Sequence, residues 1–425
     1  MNTICASIIT IGDELLIGQT IDTNSAWIAQ ELNKIGIWVK KRIAVGDVWD
    51  DIWKALDEEV RDAEIIIITG GLGPTADDIT KPLLCKYFGG KMVINEKVLE
   101  HIKYLFEKVY QRPGPILERN IKQAEVPDVC DVLHNARGTA PGMWFSPAPL
   151  NPRQRGTVIS LPGVPYEMKG LMTDEVLPRL QKSFLLPSIV HRTIFTAGQG
   201  ESFIAELIKD FEASLPSHIK LAYLPGYGIV RLRLTASGPD KKILEDELGP
   251  FINQLKTLVN DFFVTDKDEE LEEVIGKILK ERNKTMATAE SCTGGYIAHL
   301  ITSVTGSSAY YKGSVVSYAN EAKENILGVQ PETLMSNGAV SEETVIQMTK
   351  GVLEKLKVDY AIATSGIMGP DGGSDEKPVG TVWIAVGNRN KVETRKFLFR
   401  FNRERNIIQT SLTALNMLRI IILEN

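Results

Sequence analysis

The chain has 425 residues, of which 43% are hydrophobic and 24% charged, and its formal net charge is −6. These values are typical of a globular protein and exclude a nucleic-acid binder that depends on a strongly basic surface. Because single hydrophobic cores stop growing at about 250–300 residues, the length predicts two or three domains. The four cysteines stand far apart, which argues against a structural zinc site or a disulfide framework; they are Cys5, Cys85, Cys130 and Cys292. We find no apolar run of the roughly 18 residues that a membrane span requires, and we expect a cytoplasmic protein.

Residues 1–180 alternate between strand patterns and helix patterns. Strands are predicted at 5–11, 38–45 and 64–69, and helices at 24–34, 50–63 and from about 77. Asn24 is the predicted cap of the first helix, and Gly36 is predicted to end it in the left-handed conformation. Four consecutive isoleucines in the third strand predict burial on both faces. The alternation predicts a parallel α/β sheet with helices on both of its faces.

Two polar clusters follow strands of this sheet, at the edge where open α/β sheets bind ligands. The predicted phosphate ligands are Gly70, Gly71, Gly73 and Thr75. The predicted ligands of a divalent metal ion, whose identity the sequence does not indicate, are Asp13, Glu14, Asp77 and Asp78. The alternative is that the last two carboxylates only favour the N-terminus of the helix that begins there.

The pattern changes at residues 185–260. A strand at 191–196, a helix at 201–213, an antiparallel strand at 230–234 and a long helix at 241–260 predict a small α+β module. From residue 271 the α/β alternation resumes, with strands at 284–290, 309–318, 359–365, 379–387 and 391–401 and a closing helix at 403–423. We therefore predict three domains.

The most informative stretch is Ala289-Glu290-Ser291-Cys292-Thr293-Gly294-Gly295. A strand that stops in a Ser/Thr/Gly turn at a helix N-terminus presents backbone N–H groups and hydroxyls together. Such a turn can hold an anion and activate a nucleophile in one place. Two similar runs of small residues follow, at 305–308 and 365–373.

A serine nucleophile needs a base that takes its proton. His299, which is predicted to lie in the middle of a helix, is interpreted as a structural or surface residue. Lys323 can act as the base if a pocket desolvates it and lowers its pKa; otherwise it is a solvated surface lysine. Cys292 is either a competing nucleophile or a small buried packing residue.

Two further segments of the sequence are candidates for binding an anion. The glycine-rich segment 369–373 is either a phosphate cradle or a tight turn between strands. Arg403 and Arg405 open the last helix, where they oppose the helix dipole. This placement suggests an anionic partner, although exposed surface arginines are the alternative.

The ordered motifs of residues 270–425 closely resemble the C-terminal domain of the CinA family. They are AESCTGG (289–295), TGSS (305–308), VSYANEAK (316–323), GAVSEET (338–344), SGIMGPDGG (365–373) and KPVGTV (377–382). The resemblance implies a nicotinamide-nucleotide amidohydrolase that converts nicotinamide mononucleotide to nicotinate mononucleotide and ammonia without a cofactor. It implies a Ser–Lys mechanism with the catalytic residues Ser291, Lys323 and Tyr318. The substrate-binding residues that it implies are Thr293, Gly294, Gly295, Ser308, Ser365, Gly369 and Arg403.

Some points stay open within this resemblance. Ser291 is favoured over Ser308 as the nucleophile, and Tyr318 together with the N–H groups around Gly294 is the predicted oxyanion site. The family's Gly-Asp before the last helix is replaced here by Phe401-Asn402, so the arginine that binds the substrate phosphate is not fixed.

The N-terminal clusters resemble the molybdopterin-binding-like domain of the same family. The likeness extends to NIKQAEVP (120–127), GTAPG (138–142) and LPGVPYEM (161–168). It implies metal-dependent hydrolysis of ADP-ribose to AMP and ribose 5-phosphate, and the alternative is a protein that binds a pterin phosphate. Residues 185–262 resemble the family's KH-like module, and the loop at 198–201 is only loosely similar to the GXXG loop that binds nucleic acid.

The predicted organisation is a molybdopterin-binding-like α/β domain (1–180), a small α+β KH-like module (185–262) and an α/β amidohydrolase domain (268–425). We expect a homodimer joined through the middle module, with nicotinamide mononucleotide and ADP-ribose as substrates and with neither nucleic acid nor a membrane as a partner. The competing hypothesis is an interaction protein linked to competence or DNA damage that has lost one or both activities.

Overall fold

The computed structural model describes residues 4–75, 77–111, 115–147 and 156–424. The chain divides into two compact units. The first contains residues 1–190 and 236–246, and the second contains residues 191–235 and 247–425.

The first unit is built on a six-stranded sheet with the strand order β2-β1-β3-β8-β7-β6, and β4 and β5 pair separately. Its strands are β1 (Cys5–Ile11), β2 (Trp38–Val45), β3 (Ile65–Thr69), β4 (Met92–Ile94), β5 (Glu125–Pro127), β6 (Asp131–Leu133), β7 (Gly142–Phe145) and β8 (Thr157–Leu161). Its helices are α1 (Asp13–Leu16), α2 (Thr23–Lys34), α3 (Trp49–Asp62), α4 (Thr80–Tyr87), α5 (Glu96–Tyr104), α6 (Glu118–Ile121), α7 (Pro165–Leu171) and α8 (Leu177–Ser183).

The six-stranded sheet is mixed, which corrects the prediction of a wholly parallel one. Strands β2, β1, β3 and β8 run parallel, whereas β7 and β6 are antiparallel to their neighbours. The physical reason is the short connection between β6 and β7, since a parallel pair needs a crossover of a dozen or more residues. The prediction for β3 is confirmed, because every residue of this strand is buried. Its isoleucines alternate between two hydrophobic clusters, with Ile65 and Ile67 in one and Ile66 and Ile68 in the other.

Two helix starts differ from the predicted ones. Asp22 caps α2 by accepting the N–H of Ser25 (2.9 Å), whereas Asn24 lies inside the first turn. Helix α4 begins at Thr80 rather than near Asp77. The reason is that the Asp78 side chain bonds backward into the preceding loop instead of capping a helix from its own position.

The remaining strands and helices lie mostly in the second unit. The strands are β9 (Ser188–Ala197), β10 (Ile219–Pro225), β11 (Ile229–Gly238), β12 (Phe263–Thr265), β13 (Met286–Glu290), β14 (Tyr311–Val316), β15 (Tyr360–Gly366), β16 (Thr381–Gly387) and β17 (Val392–Leu398). The helices are α9 (Glu201–Leu207), α10 (Lys209–Ser214), α11 (Lys241–Leu258), α12 (Leu271–Glu281), α13 (Tyr296–Ser303), α14 (Asn320–Leu327), α15 (Pro331–Asn337), α16 (Glu342–Leu356) and α17 (Arg403–Glu424).

These strands form a four-stranded sheet with the order β10-β11-β9-β12 and a five-stranded sheet with the order β14-β13-β15-β16-β17. In the five-stranded sheet, β14, β13 and β15 run parallel, and β16 and β17 continue it as an antiparallel hairpin. The carboxyl ends of three parallel strands therefore meet at one edge, where the AESCTGG turn lies.

Helix α17 has the length and apolar composition of a membrane-spanning helix, with a mean hydropathy of 1.3 over its most apolar window. More than half of that window is buried inside the unit. The helix contacts α12, α13, β15 and β16, as a core helix does. It also places Arg403, its first residue, beside the five-stranded sheet.

Candidate active site

Ser291 follows directly after β13, in a tight turn that leads into α13. Gly294 and Gly295 complete this turn with φ values of 62° and 97°. A Cβ atom at position 294 would enter open space, so the left-handed backbone and not crowding requires glycine there. The Ser291 N–H donates to the Thr364 carbonyl of β15 at 3.0 Å. The sheet thus fixes the Ser291 backbone, and the residue is 9% exposed.

The anion at the start of α13 is the protein's own Glu290 carboxylate. This side chain has no exposed surface. It accepts the backbone N–H groups of Gly295 (3.0 Å), Ile297 (3.1 Å) and Ala298 (2.9 Å). A helix N-terminus attracts one anion, and here an internal one occupies it. The N–H groups of Gly295, Ile297 and Ala298 are therefore not available to a substrate phosphate.

Three of the predicted substrate contacts are engaged inside the protein. The Thr293 hydroxyl donates to Glu290 (2.7 Å) and pairs with the Thr364 hydroxyl (2.9 Å), and the residue is 3% exposed. The Gly294 N–H donates to the Ser291 carbonyl at 3.2 Å, and the Gly295 N–H is bound to Glu290. The Thr293 hydroxyl and the N–H groups of Gly294 and Gly295 are thus used within the turn.

Lys323 lies on α14 and reaches Ser291 through the interior. Its ammonium nitrogen is 3.2 Å from the Ser291 hydroxyl, 2.7 Å from the Ser317 carbonyl and 3.3 Å from the Tyr318 carbonyl. The side chain is 1% exposed, and burial lowers the pKa of Lys323 from its ordinary value. The alternative of a solvated surface lysine is therefore wrong. The structure brings the predicted nucleophile and the predicted base into hydrogen-bond contact.

Cys292 does not compete with Ser291 as a nucleophile. It is 5% exposed and packs within the large hydrophobic cluster of the second unit. Burial raises the pKa of the Cys292 thiol to about 12, so that it carries a proton at neutral pH. The packing interpretation is the one that the structure supports.

Ser308 lies at the amino-terminal end of the parallel strands, whereas Ser291 lies at their carboxyl end. It precedes β14 in a single 3-10 turn, and the neighbouring Tyr310 carbonyl accepts the N–H of Met286, the first residue of β13. Ser291 comes after the last residue of the same strand, about 13 Å or more along β13. The prediction that Ser308 shares the site with Ser291 is thus wrong within one chain. The order of the motifs in the sequence does not indicate at which end of the strands each motif lies.

Arg403 joins two other predicted residues at the exposed rim of the site. One of its terminal nitrogens donates to the Tyr318 hydroxyl at 3.0 Å, and the other donates to the Gly369 carbonyl at 2.9 Å. Tyr318 is 64% exposed. Gly369 has a φ of 84° and opens the turn at 369–373. These three residues form an open, positively charged rim near the buried Ser291–Lys323 pair.

Two loops beside the rim are held by buried side chains. The Ser365 hydroxyl donates to the Ala339 carbonyl at 2.6 Å, so this predicted substrate contact instead anchors the GAVSEET segment. Asn406, which has no exposed surface, donates to the carbonyls of Met368 (3.1 Å) and Phe401 (3.0 Å). The sequence analysis missed Asn406 and the role of Glu290. A polar residue at an apolar position of a core helix is the signal that points to Asn406.

The glycine loop of the first unit is organised by its own aspartate. Asp78 accepts the N–H groups of Gly73 (2.7 Å) and Thr75 (2.8 Å) as well as the Thr75 hydroxyl. Gly70, with a φ of 116°, lies so close to β1 that a Cβ atom would be 2.3 Å from the Ile11 carbonyl oxygen. Gly73 and Thr75 therefore do not present free donors to a phosphate, which corrects that prediction.

The predicted metal ligands converge only loosely. Asp13 and Asp47 exchange backbone-to-carboxylate hydrogen bonds of 3.2 Å at the ends of β1 and β2. Burial, together with the nearby charges of Asp13, Glu14 and Asp77, raises the pKa of Asp47. In the part of the chain that the structure describes, however, no three such side chains lie close enough to hold a metal ion. Asp47 was missed, although Gly46-Asp47 repeats the Gly12-Asp13 pattern after the next strand.

Three family models match the chain. One described as a probable molybdopterin binding domain matches residues 7–182. One described as the KH domain of damage-inducible protein CinA matches 191–264, and one described as the CinA C-terminal domain matches 268–422. These matches confirm the predicted fold class, with the sheets mixed rather than parallel.

Similar proteins cover nearly the whole chain. It is 48% identical over 421 residues to a CinA-like protein of Cytophaga hutchinsonii, covering 99% of this chain and 98% of that one. It is also 48% identical over 421 residues to a CinA-like protein of Flavobacterium psychrophilum, covering 99% of both. The crystal structure of competence/damage inducible protein CihA from Agrobacterium tumefaciens is 41% identical and covers 36% of this chain and 93% of its own, with a TM-score of 0.35. The identity to full-length relatives and the three family models show that the chain belongs to the CinA family.

Proposed function

We propose that the second unit hydrolyses nicotinamide mononucleotide to nicotinate mononucleotide and ammonia, with Ser291 as the nucleophile and Lys323 as its base. The observation that carries the proposal is the buried Lys323 nitrogen at 3.2 Å from the Ser291 hydroxyl. A lysine placed in this way is an expensive feature that packing alone does not explain, because burial penalises its charged form.

The surroundings of Lys323 suit a neutral amine. Two of its three contacts are backbone carbonyls, of Ser317 and Tyr318, which can only accept hydrogen bonds. A neutral amine satisfies both carbonyls with its two N–H groups and keeps a lone pair for the Ser291 proton. Among the described residues, no carboxylate forms an ion pair with Lys323 that would favour the charged form.

The proposed reaction follows from this geometry. The Ser291 oxygen attacks the amide carbon while its proton passes to Lys323. The Lys323 ammonium then gives that proton to the leaving nitrogen, and ammonia departs as the C–N bond breaks. Water, activated by the neutral Lys323, hydrolyses the resulting ester. The N–H groups of Gly294 and Gly295 are bound elsewhere, so those of Cys292 and Thr293 are the candidate oxyanion donors of the turn.

Replacing Arg403 by alanine is expected to raise KM about tenfold or more with little change in kcat, because the guanidinium at the rim is proposed to bind the substrate phosphate. The measurement is steady-state ammonia release from nicotinamide mononucleotide. Arg405→Ala is the matched control, since that arginine is likewise exposed in the first turn of α17, whereas the contacts with Gly369 and Tyr318 are made by Arg403. An equal rise in KM for both variants would contradict a specific role for Arg403.

The rate is expected to depend on pH through Lys323. Since burial lowers the pKa of Lys323, the neutral form is populated at a lower pH than in a free lysine, whose pKa is about 10.4. Activity should fall as the pH decreases through the Lys323 pKa and should level off above it. Measuring kcat/KM for ammonia release across this range tests the expectation. A midpoint at the free-lysine value would contradict a desolvated base.

For the first unit we propose binding of a phosphorylated ligand at the carboxyl edge of β3, with ADP-ribose as the candidate substrate and a pterin phosphate as the alternative. The favouring observation is the cluster of polar groups there, in which Asn24 donates to the Gly163 carbonyl (2.7 Å) and Thr69 donates to the Pro162 carbonyl (2.9 Å).

The carboxylates as placed do not fit a divalent metal ion, because Asp78 is used within its loop and the others are not clustered. Release of AMP from ADP-ribose, assayed with magnesium, with manganese and with a chelator, separates hydrolysis from binding alone.

We further propose that the protein acts in the cytoplasm as a homodimer. The competing proposal is an interaction protein linked to competence or DNA damage that has lost one or both activities. The buried, closely spaced Ser291–Lys323 pair supports catalysis, since an interaction surface gains nothing from a desolvated amine.

A further inference from the structure

Three serines lie at the same register position of adjacent parallel strands, one within β15 and one directly after each of β13 and β14. Glu290 is paired with Val316 on one side and with Thr364 on the other. The next position along the three strands therefore aligns Ser317, Ser291 and Ser365. The Ser317 N–H donates to the Glu290 carbonyl (2.8 Å), which continues this register past the end of β14.

The three serines face the same side of the sheet as α14 and α16. Two residues earlier, Ala289 and Ala363 pack in a hydrophobic cluster with side chains of α14 and α16, and Val315 packs against that cluster. Because side chains alternate along a strand, the serines lie on that face as well. Lys323 reaches them from α14.

Only one serine of this row lacks a hydrogen-bond partner in the described part of the chain. Ser291 is bonded to Lys323, and Ser365 is bonded to the Ala339 carbonyl. The Ser317 hydroxyl, on a residue with no exposed surface, has none. A buried hydroxyl without a partner is costly, and such a group in a native protein usually has a role in another state of the molecule.

We propose that Ser317 is a positioning residue whose hydroxyl accepts the third N–H of the Lys323 ammonium, including the ammonium of the tetrahedral intermediate that forms when the Ser291 oxygen bonds to the amide carbon. This inference rests on the proposed amidohydrolase function. Attack forms the bond between the Ser291 oxygen and the amide carbon and moves the hydroxyl proton to Lys323. The ammonium then has three N–H groups. The carbonyls of Ser317 and Tyr318 accept two of them. The Ser291 oxygen, now bonded to the amide carbon in the tetrahedral intermediate, is a poor acceptor for the third.

Ser317 is suitably placed for this task. Its own carbonyl is 2.7 Å from the Lys323 nitrogen, so its hydroxyl is a side-chain rotation away from the same nitrogen. The charged and titratable groups around Lys323 offer no better acceptor. Cys292 in the nucleophile turn is a neutral thiol, Glu290 is bound on the other face of the sheet, and Tyr318 is bonded to Arg403 at the rim. The proton stays on Lys323 until the C–N bond breaks, when the leaving nitrogen takes it.

The test compares Ser317→Ala and Ser317→Thr in the full-length protein with two readouts. The first is kcat and KM for ammonia release from nicotinamide mononucleotide as a function of pH. The second is the pH dependence of labelling by an alkyl fluorophosphonate, in which the Ser291 oxygen bonds to phosphorus, fluoride leaves and the proton passes to Lys323. The second readout does not depend on the identity of the natural substrate.

Ser317→Ala is expected to lower kcat about tenfold with KM changed less than twofold, because a stabilising contact of the ammonium is lost. The midpoint of both pH profiles should move to lower pH, since the charged form of Lys323 is less stabilised. Ser317→Thr, which keeps the hydroxyl, should have the kcat and the pH midpoints of the wild type. Unchanged kcat and midpoint in Ser317→Ala, or an equally slow Ser317→Thr, would overturn the inference, as would a wild-type protein that the probe does not label at Ser291. A wild type that releases no ammonia, but whose labelling midpoint shifts with Ser317→Ala, would support Ser317 and refute only the substrate.

Discussion

Replacing Lys323 by methionine is expected to lower kcat for ammonia release by about 10³-fold, since a positioned general base contributes on the order of 10²–10⁴-fold. Methionine fills a similar volume but cannot take the Ser291 proton. The variant should remain folded. At neutral pH the buried amine costs folding energy, because its pKa is lower in the folded than in the unfolded chain, and that cost rises as the pH falls from the free-lysine value to the folded value. Methionine removes this cost, which offsets the loss of donors to two carbonyls.

Lys350→Met is the control for this comparison, because Lys350 is an exposed lysine on α16. Both variants should show cooperative thermal unfolding. Ammonia release at the wild-type rate by folded Lys323→Met would exclude the lysine as the base. A rate that is lost equally in Lys350→Met would point to a general effect of the substitution.

Replacing Glu290 by glutamine is expected to destabilise the second unit by about 2–4 kcal/mol and to lower kcat about 10²-fold. The carboxylate accepts three backbone N–H groups and the Thr293 hydroxyl in a site without solvent access. Glutamine presents one accepting oxygen and an NH₂ group, which would face N–H donors that it cannot satisfy. The nucleophile turn should shift as a result. Urea unfolding followed by circular dichroism measures the first effect, and steady-state kinetics measures the second.

Glu321→Gln is the matched control, since Glu321 is an exposed glutamate in the first turn of α14. It should change the free energy of unfolding by no more than about 0.5 kcal/mol. If Glu290→Gln were as stable and active as this control, Glu290 would not be the anchor of the turn.

The elements of the fold were largely predictable from the sequence, because they depend on local patterns. The alternation of apolar residues and the positions of glycines predicted β1 and β2 with the bounds that the structure has. The two antiparallel strands of the first sheet could not be derived in this way, since short irregular strands such as β6 carry little periodic signal. The cap of α2 was assigned to Asn24 rather than Asp22 because both residue types cap helices equally well.

The pair of Ser291 and Lys323 could be predicted from the sequence, whereas the other residues of the candidate site could not. Ser291 could be predicted because it follows a strand end. Lys323 could be predicted because His299 did not suit the role of base and because the motif that contains Lys323 resembles that of the family. The placement of Ser308 depends on the end of the strands at which its loop lies, and that depends on strand direction and register. Glu290 and Asp78 were interpreted as parts of ligand-binding turns, whereas each of them accepts hydrogen bonds from backbone N–H groups of its own turn. Whether a carboxylate binds a ligand or its own backbone is decided by tertiary contacts that the sequence does not contain.

The central claim is that Ser291 attacks the amide with Lys323 as its base. Ammonia release from nicotinamide mononucleotide by the wild type, Ser291→Ala and Ser308→Ala tests it most directly. We expect release by the wild type, none above background by Ser291→Ala, and a rate close to that of the wild type by Ser308→Ala. Sustained release by Ser291→Ala, or its loss only in Ser308→Ala, would contradict the account.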